Sequence, residues 1–267
     1  MNESPKEYQT IEVRTDQDIL RLNLNRPDVR NAFNPQMIDE LTRVAGSLTP
    51  EIRAVVMSGN GSVFSAGGDL HWMRQSLQLS RQQNFEDALN LARMLLALDR
   101  IPAPLVGTIH GAALGGGVGL VAVCDYAIAS RETQFGFTEA RLGILPATIA
   151  PFVVRKIGPG HARSLFTTAE RFSAQKAYEI GLIHKIVDSP DQLAKAAEEV
   201  VSNIRQCGPN AVRIAKEIIQ NLTVPQNEDE ILKMVADLLA SVRVSPEGQE
   251  GLKAFLEKRS PGWTKKD

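Results

Sequence analysis

The sequence is poor in the residues from which metal, redox and nucleophile sites are built. Of 267 residues, two are cysteine and four are histidine. Cys124 and Cys207 match no metal or redox spacing, and Cys124 lies in an apolar stretch where a buried free thiol is expected rather than a disulfide. His71, His110, His161 and His184 are scattered without ligand spacing, so no metal site is expected. Ser65 does not sit in a nucleophile-elbow sequence, and no Ser-His-Asp assignment can be built around it. A charge surplus is missing too. Lys plus Arg number 30 and Asp plus Glu 31, a formal net charge of -1, which gives no general electrostatic reason for nucleic acid or a membrane surface as partner. No hydrophobic run approaches a transmembrane length, and MNESPKEYQT has neither a signal-peptide core nor an Arg-rich leader. A cytoplasmic protein with no nucleic-acid or membrane partner is the expectation.

What the chain does have is glycine in telling places. Gly115, Gly116 and Gly117 stand between an apolar strand-like run and an apolar helix-like run. Three glycines strip the side chains from a buried turn, so backbone N–H groups can approach a ligand, and a following helix adds its positive end. A second glycine-bearing turn, Ser65-Ala66-Gly67-Gly68-Asp69, follows the strand-like run at 52–57. Two turns that could converge on one oxygen suggest an oxyanion hole, and so carbonyl chemistry. Asp69 is placed to cap a helix beginning beside it.

Strand and helix patterns alternate to about residue 190. Strands are expected within 11–24, turning at 15–18, and at 52–57, 105–109, 126–129, 134–136 and 182–187. Asn34-Pro35 reads as a cap and first helical position opening a helix over 36–48. Further helices are expected at 82–98, at 118–124 (apolar on all sides) and at 174–180, with one broken at 156–160 and restarting at 161–166. From Pro209 the pattern is helical only, at 211–222, 228–241 and 246–259. The whole favours an α/β core with a helical tail that packs on the core or on another subunit.

Taken in order, a set of short segments resembles the enoyl-CoA hydratase/isomerase, or crotonase, family over essentially the whole length. They are Asn25-Arg26-Pro27 with Asn31-Ala32, Phe64 to Asp69, His110 to Gly117, Cys124-Asp125 and Phe135-Gly136. Glu139 with Leu142 to Pro146, Ala177 with Gly181-Leu182-Ile183, and Ala254 to Arg259 complete the set. The resemblance implies an α/β fold, a crotonase-like spiral of ββα units over residues 1–205 holding a CoA-thioester site. Residues 206–267 would form a C-terminal helical region that drives trimer formation and completes the site, trimers often pairing into hexamers. No separate cofactor is implied, coenzyme A being part of the thioester substrate.

The same resemblance implies roles. The backbone N–H groups of Ala66 and Gly116 would hold the thioester oxygen, and Asp28, Val29, Arg30, Gly67, Gly68, Asp69 and Leu70 would contact substrate. Gly115 and Gly119 would line the same site, while Phe255 and Lys258 approach a neighbouring subunit's ligand. His71 and Trp72, following the first turn, would line the acyl pocket or else be helix-surface and core residues. Glu139, read from its position, is either a half-buried acid/base with a raised pKa or a capping, solvent-facing glutamate; the resemblance decides for the former. The hydratases it resembles use a second glutamate where this chain has Gly119. That leaves hydration through one carboxylate, or isomerisation, as the two expected chemistries. Gly117 to Val121 and Phe137 to Pro151 further resemble the bacterial methylglutaconyl-CoA and carboxygeranoyl-CoA hydratase branch. Its branched substrates, from leucine or acyclic-terpene breakdown, carry a distal carboxylate. Arg141 or Arg74 would meet that carboxylate or else be ordinary surface or structural arginines, and Gly119 would leave room for the branch.

Overall fold

The computed structural model describes residues 8–222 and 227–264. β1 (Ile11–Asp16) and β2 (Ile19–Leu24) form the expected antiparallel hairpin, with Gln17 supplying a left-handed residue, φ 56°, at the turn. α1 (Pro35–Gly46) starts as expected: the Asn34 side chain accepts from the Met37 N–H, and Pro35 occupies a position that needs no donor. Then come β3 (Ala54–Gly59), α2 (Leu70–Ser76), α3 (Arg81–Asp99), β4 (Leu105–Ile109), β5 (Ala112–Leu114) and α4 (Gly116–Val123). β6 (Tyr126–Ser130), β7 (Gln134–Gly136), α5 (Ala150–Thr168), β8 (Arg171–Ser173), α6 (Ala174–Glu179), β9 (Lys185–Val187) and α7 (Leu193–Gln206) follow. α8 (Pro209–Leu222), α9 (Glu228–Val244) and α10 (Pro246–Leu256) close the chain. The break expected at 156–160 is a kink inside α5, where Gly158 leaves helical geometry at φ 75°.

The strands form two sheets. One has the order β1-β2-β3-β4-β6-β9 and is parallel from β2 onward; the other has the order β5-β7-β8. The chain crosses from the first sheet to the second and returns through a helix: β4, β5, α4 and back to β6, then β7, with α5, β8 and α6 before the return to β9. The preceding turn follows the same path, because Ser65, after β3, pairs in parallel with Ala113 of β5 as an isolated bridge. Successive turns therefore stack as a spiral of ββα units, with equivalent corners one above another.

The six-stranded sheet is covered on both faces. One face meets the main core, in which Leu22, Val55, Met57 and Leu105 pack with Leu41 of α1, Leu95 of α3 and Leu120 of α4. Residues 117–123 are all buried, as an apolar central helix requires. The other face packs Ile19, Val56, Val106 and Ile128 against Leu193, Ala197 and Val201 of α7. Neither α7 nor the three-residue β8 was expected from the sequence. By contrast, α8 and α9 contain no buried residue and α10 only Ala254, leaving Leu232, Leu239, Val244 and Phe255 exposed. α8 reaches the core through polar contacts, notably Lys216 paired with Asp125 at 2.7 Å. No helix of the described residues is long and apolar enough to cross a membrane.

Candidate active site

The first glycine turn is fixed from beneath by Asn31. Its buried side chain donates to the carbonyls of Asn60 (2.8 Å) and Val63 (3.0 Å) and accepts from the Arg26 N–H, while its own carbonyl receives the Ser65 hydroxyl. Phe33 then brackets the turn, its N–H donating to Gly67 O and its carbonyl accepting from Asp69 N–H. In such a parallel bridge the residue between points its N–H the other way. That residue is Gly68, whose N–H finds no acceptor among the described residues. Asp69 caps α2 as expected, accepting from the N–H groups of His71 and Trp72, and pairs with Arg26 at 2.8 Å. Burial pushes its carboxyl upward, but Arg26 and the two amides outweigh burial and hold it below the usual carboxylate range.

The second turn repeats the first at the next level of the spiral. Ser65 and Ala113 are paired, and three residues beyond each lie Gly68 and Gly116. Gly67 and Gly115, just before them, are buried in left-handed conformations, φ 88° and 51°, which a side chain would strain. A Cβ on Gly67 would stand 2.7 Å from Leu114 O and 3.5 Å from Gly116 N, so the two turns are in contact. Gly116 opens α4, and its N–H likewise finds no acceptor among the described residues. One level further, β7 pairs Phe135 with Ala113, and Glu139 follows at the start of a 3-10 turn, Glu139–Leu142.

Glu139 is half-buried, and its Oε2 is sealed from solvent without a hydrogen-bond partner among the described residues. Burial raises its pKa and outweighs the hydrogen bond from its own backbone N–H, which acts in the other direction. The carboxylate lies against Gly115, where a Cβ would meet Oε1 at 3.1 Å. Gly68, Gly116 and Glu139 line one cavity of about 370 Å³, with Phe33, Trp72 and Ile149 among its walls. A second cavity, of about 680 Å³, is lined by Asp28, Val29, Arg30, Gly68, Asp69, Leu70, His71 and Arg74. Seven residues named from the sequence as substrate contacts thus share one surface, and Gly68 joins it to the Glu139 cavity.

Several expectations need correction. Ala66 is not a free donor: its N–H is committed to Arg30 O at 2.9 Å, and it lines only the larger cavity. The available first-turn N–H is that of Gly68, a residue the sequence reading named only as a contact. Gly119 does not leave room for a substrate branch. A Cβ there would meet Ile149 Cγ2 at 2.5 Å and Leu95 Cδ1 at 3.4 Å, and Gly119 lines neither cavity. Trp72 does line the Glu139 cavity, but His71 lies in the larger one and Arg74 beside it, away from the acyl position first considered for both. Arg141 is exposed on its 3-10 turn and lines neither. Phe255 and Lys258 stand exposed at the end of α10 and line neither cavity within this chain. His110 is tied to Gly61 O at 2.9 Å, and Cys124 is a buried free thiol pushed up to about 12 by burial.

The sequence reading missed the α3 side of the Glu139 cavity. Asn84, Asp87, Ala88 and Leu91 reach it from one helix face. Their i, i+3, i+4, i+7 spacing was the available signal.

Stacked ββα turns with paired glycine corners and a buried carboxylate beneath them define a spiral scaffold built around backbone donors. The family profile described as Enoyl-CoA hydratase/isomerase matches residues 14–266, and the chain belongs to that family. It is similar to the solved structure of an enoyl-CoA hydratase from Shewanella pealeana, with 36% identity, 97% of each chain covered and a TM-score of 0.92. It is 28% identical to the crotonyl-CoA hydratase of Syntrophomonas wolfei over 97% of this chain and 99% of that one. To the trans-2-decenoyl-acyl-carrier-protein isomerase of Streptococcus mutans it is 29% identical, over 97% of this chain and all (100%) of the other. The fold is the crotonase fold.

Proposed function

We propose that the protein is a hydro-lyase that adds water to a 2,3-unsaturated acyl-CoA. The observation that carries this reading is one cavity lined by Gly68, Gly116 and Glu139, whose two backbone N–H groups and carboxylate Oε2 have no partner among the described residues. The donors receive the thioester oxygen as the double-bond electrons move onto it. Water adds at carbon three, Glu139 takes the proton that this water loses, and then delivers it to carbon two. One carboxylate thereby balances the addition without a second at position 119. Arg30, His71 and Arg74 offer the coenzyme's phosphates cationic or N–H partners in the larger cavity. The exposed apolar side chains of α8–α10 fit a homotrimer or hexamer.

Isomerisation is the second reading. Asp87, the other carboxylate on the Glu139 cavity, is engaged by Trp72, so Glu139 alone is left to move a proton between carbons. Within hydration, 3-methylglutaconyl-CoA is the finer candidate, supported by the likeness of Gly117 to Val121 and Phe137 to Pro151 to that branch. Against it, no Arg or Lys among the described residues lines the Glu139 cavity to meet a distal carboxylate. Mass spectrometry of products from 3-methylglutaconyl-CoA and a linear enoyl-CoA panel decides among them. A product heavier by one water establishes hydration, and substrate preference settles the branch. An isobaric product with a shifted double bond moves the assignment to isomerase.

A further inference from the structure

Resting on the acyl-CoA reading above, the geometry points to Trp72 as the residue that limits acyl-chain length, with Asp87 as the residue that positions it. Trp72 is half-buried on α2, and its indole Nε1–H donates to Asp87 Oδ2 of α3 at 2.9 Å. Both side chains line the Glu139 cavity, and both also line a separate cavity of about 240 Å³ between α1 and α3. Ile38, Thr42, Asn90 and Arg93 contribute to that second space. The indole and its bond to the carboxylate therefore form a shared wall between the two.

A wall of this kind acts on substrates by length. Chains that end before the indole contact Glu139 and the two glycine donors without disturbing it. Longer chains must displace a large ring from its hydrogen bond, which leaves a half-buried carboxylate without its donor. Removing the ring joins the acyl cavity to the space beside Ile38, and each methylene that finds room is worth roughly tenfold in discrimination. The hydrogen bond of Asp87 runs to the indole, and among the described residues none runs to Gly68, Gly116 or Glu139, so its effect runs through the orientation of the ring.

The test is binding of saturated acyl-CoAs of increasing length, from butyryl to palmitoyl, by calorimetry, which does not depend on turnover. In the native protein, affinity should stop rising and then fall beyond a limiting length. Trp72→Ala should move that limit to longer chains and strengthen palmitoyl-CoA binding at least tenfold relative to butyryl-CoA. Asp87→Ala should act in the same direction by less, and Asp87→Asn, whose amide oxygen still accepts from Nε1, should keep the native limit. A folded Trp72→Ala protein that binds butyryl-CoA with the native length profile overturns the proposal. Equal behaviour of Asp87→Asn and Asp87→Ala overturns the positioning part, since charge rather than the hydrogen bond would then be responsible. Failure of the native protein to bind any acyl-CoA overturns the functional reading itself, a result distinguishable from the other two.

Discussion

On one side of Gly68 lies a cavity of about 680 Å³ carrying Arg30, His71 and Arg74 beside Asp28 and the Arg26-paired Asp69; on the other lies one of about 370 Å³ whose lining, among the described residues, holds no Lys or Arg. Among the described residues Gly68 is the one that lines both. The first suits a polar, anionic ligand that stays wet. The second suits an apolar group and keeps a carboxylate short of water. Such sorting of charge across a single backbone amide fits a ligand with one phosphorylated half and one acyl half, the reacting carbonyl lying at the junction.

The contrast can be tested by damaging each side in turn. Glu139→Gln removes the proton carrier and nothing from the larger cavity, so kcat should fall by roughly a thousandfold or more while the Kd for a CoA ester stays near native. Unchanged turnover would remove Glu139 from the mechanism. At the junction, Gly68→Pro deletes the N–H, and kcat/KM should drop by about a hundred- to a thousandfold. Gly68→Ala keeps the donor, and its Cβ would meet only Met73 at 3.6 Å, so it should stay close to native. Equal losses in the two variants, with fold checked by circular dichroism, would shift the donor role elsewhere.

Smaller effects belong to the wet side. Arg74→Ala should weaken free coenzyme A by roughly tenfold, with the difference shrinking in high salt as exposed charges are screened. An effect on a short pantetheine thioester would place Arg74 with the acyl group instead. The mildest signature is in pH. Burial raises the Glu139 pKa above 4.5, so the ionised form that accepts water's proton is lost at a higher pH than for an ordinary carboxylate. The acid limb of kcat/KM should therefore lie above pH 4.5, the value for an unburied glutamate. The sign for stability is opposite: a raised carboxyl pKa destabilises the fold as pH rises through it. Glu139→Gln should thus raise Tm at pH 8 by on the order of 2 °C and leave it unchanged at pH 4.

The elements with local signals were legible in the sequence. Asn34-Pro35 and Asp69 are caps because short polar side chains reach the first helical amides, and both act so here. The strand at Leu105–Ile109 is buried along its whole length and lies where expected. β8 has only three residues, Arg171–Ser173, too few to show a period. α7 did carry one, with Leu193, Ala196, Ala197 and Val201 buried at helical spacing, although no element was expected there. At the site, glycine marked both turns and Glu139 stood out. Which amide was free did not, because it depends on Phe33 and Arg30, residues more than thirty positions away from the turn. The same limit left the place of Arg74 open: on the helix beginning at Leu70 it lines the outer cavity.

Gly119 carries a consequence for how this chain could change its chemistry. Ile149 fills the volume where a side chain at 119 would begin, and Ile149 itself is nearly inaccessible at 1% exposure. A second carboxylate cannot be installed there by one replacement, since Gly119→Glu would drive its first carbon into the isoleucine. The two positions are interlocked: Ile149 must shrink before 119 can grow, and shrinking it alone opens a void beside α4. Between a one-carboxylate and a two-carboxylate enzyme on this scaffold lies a step that is costly whichever residue moves first.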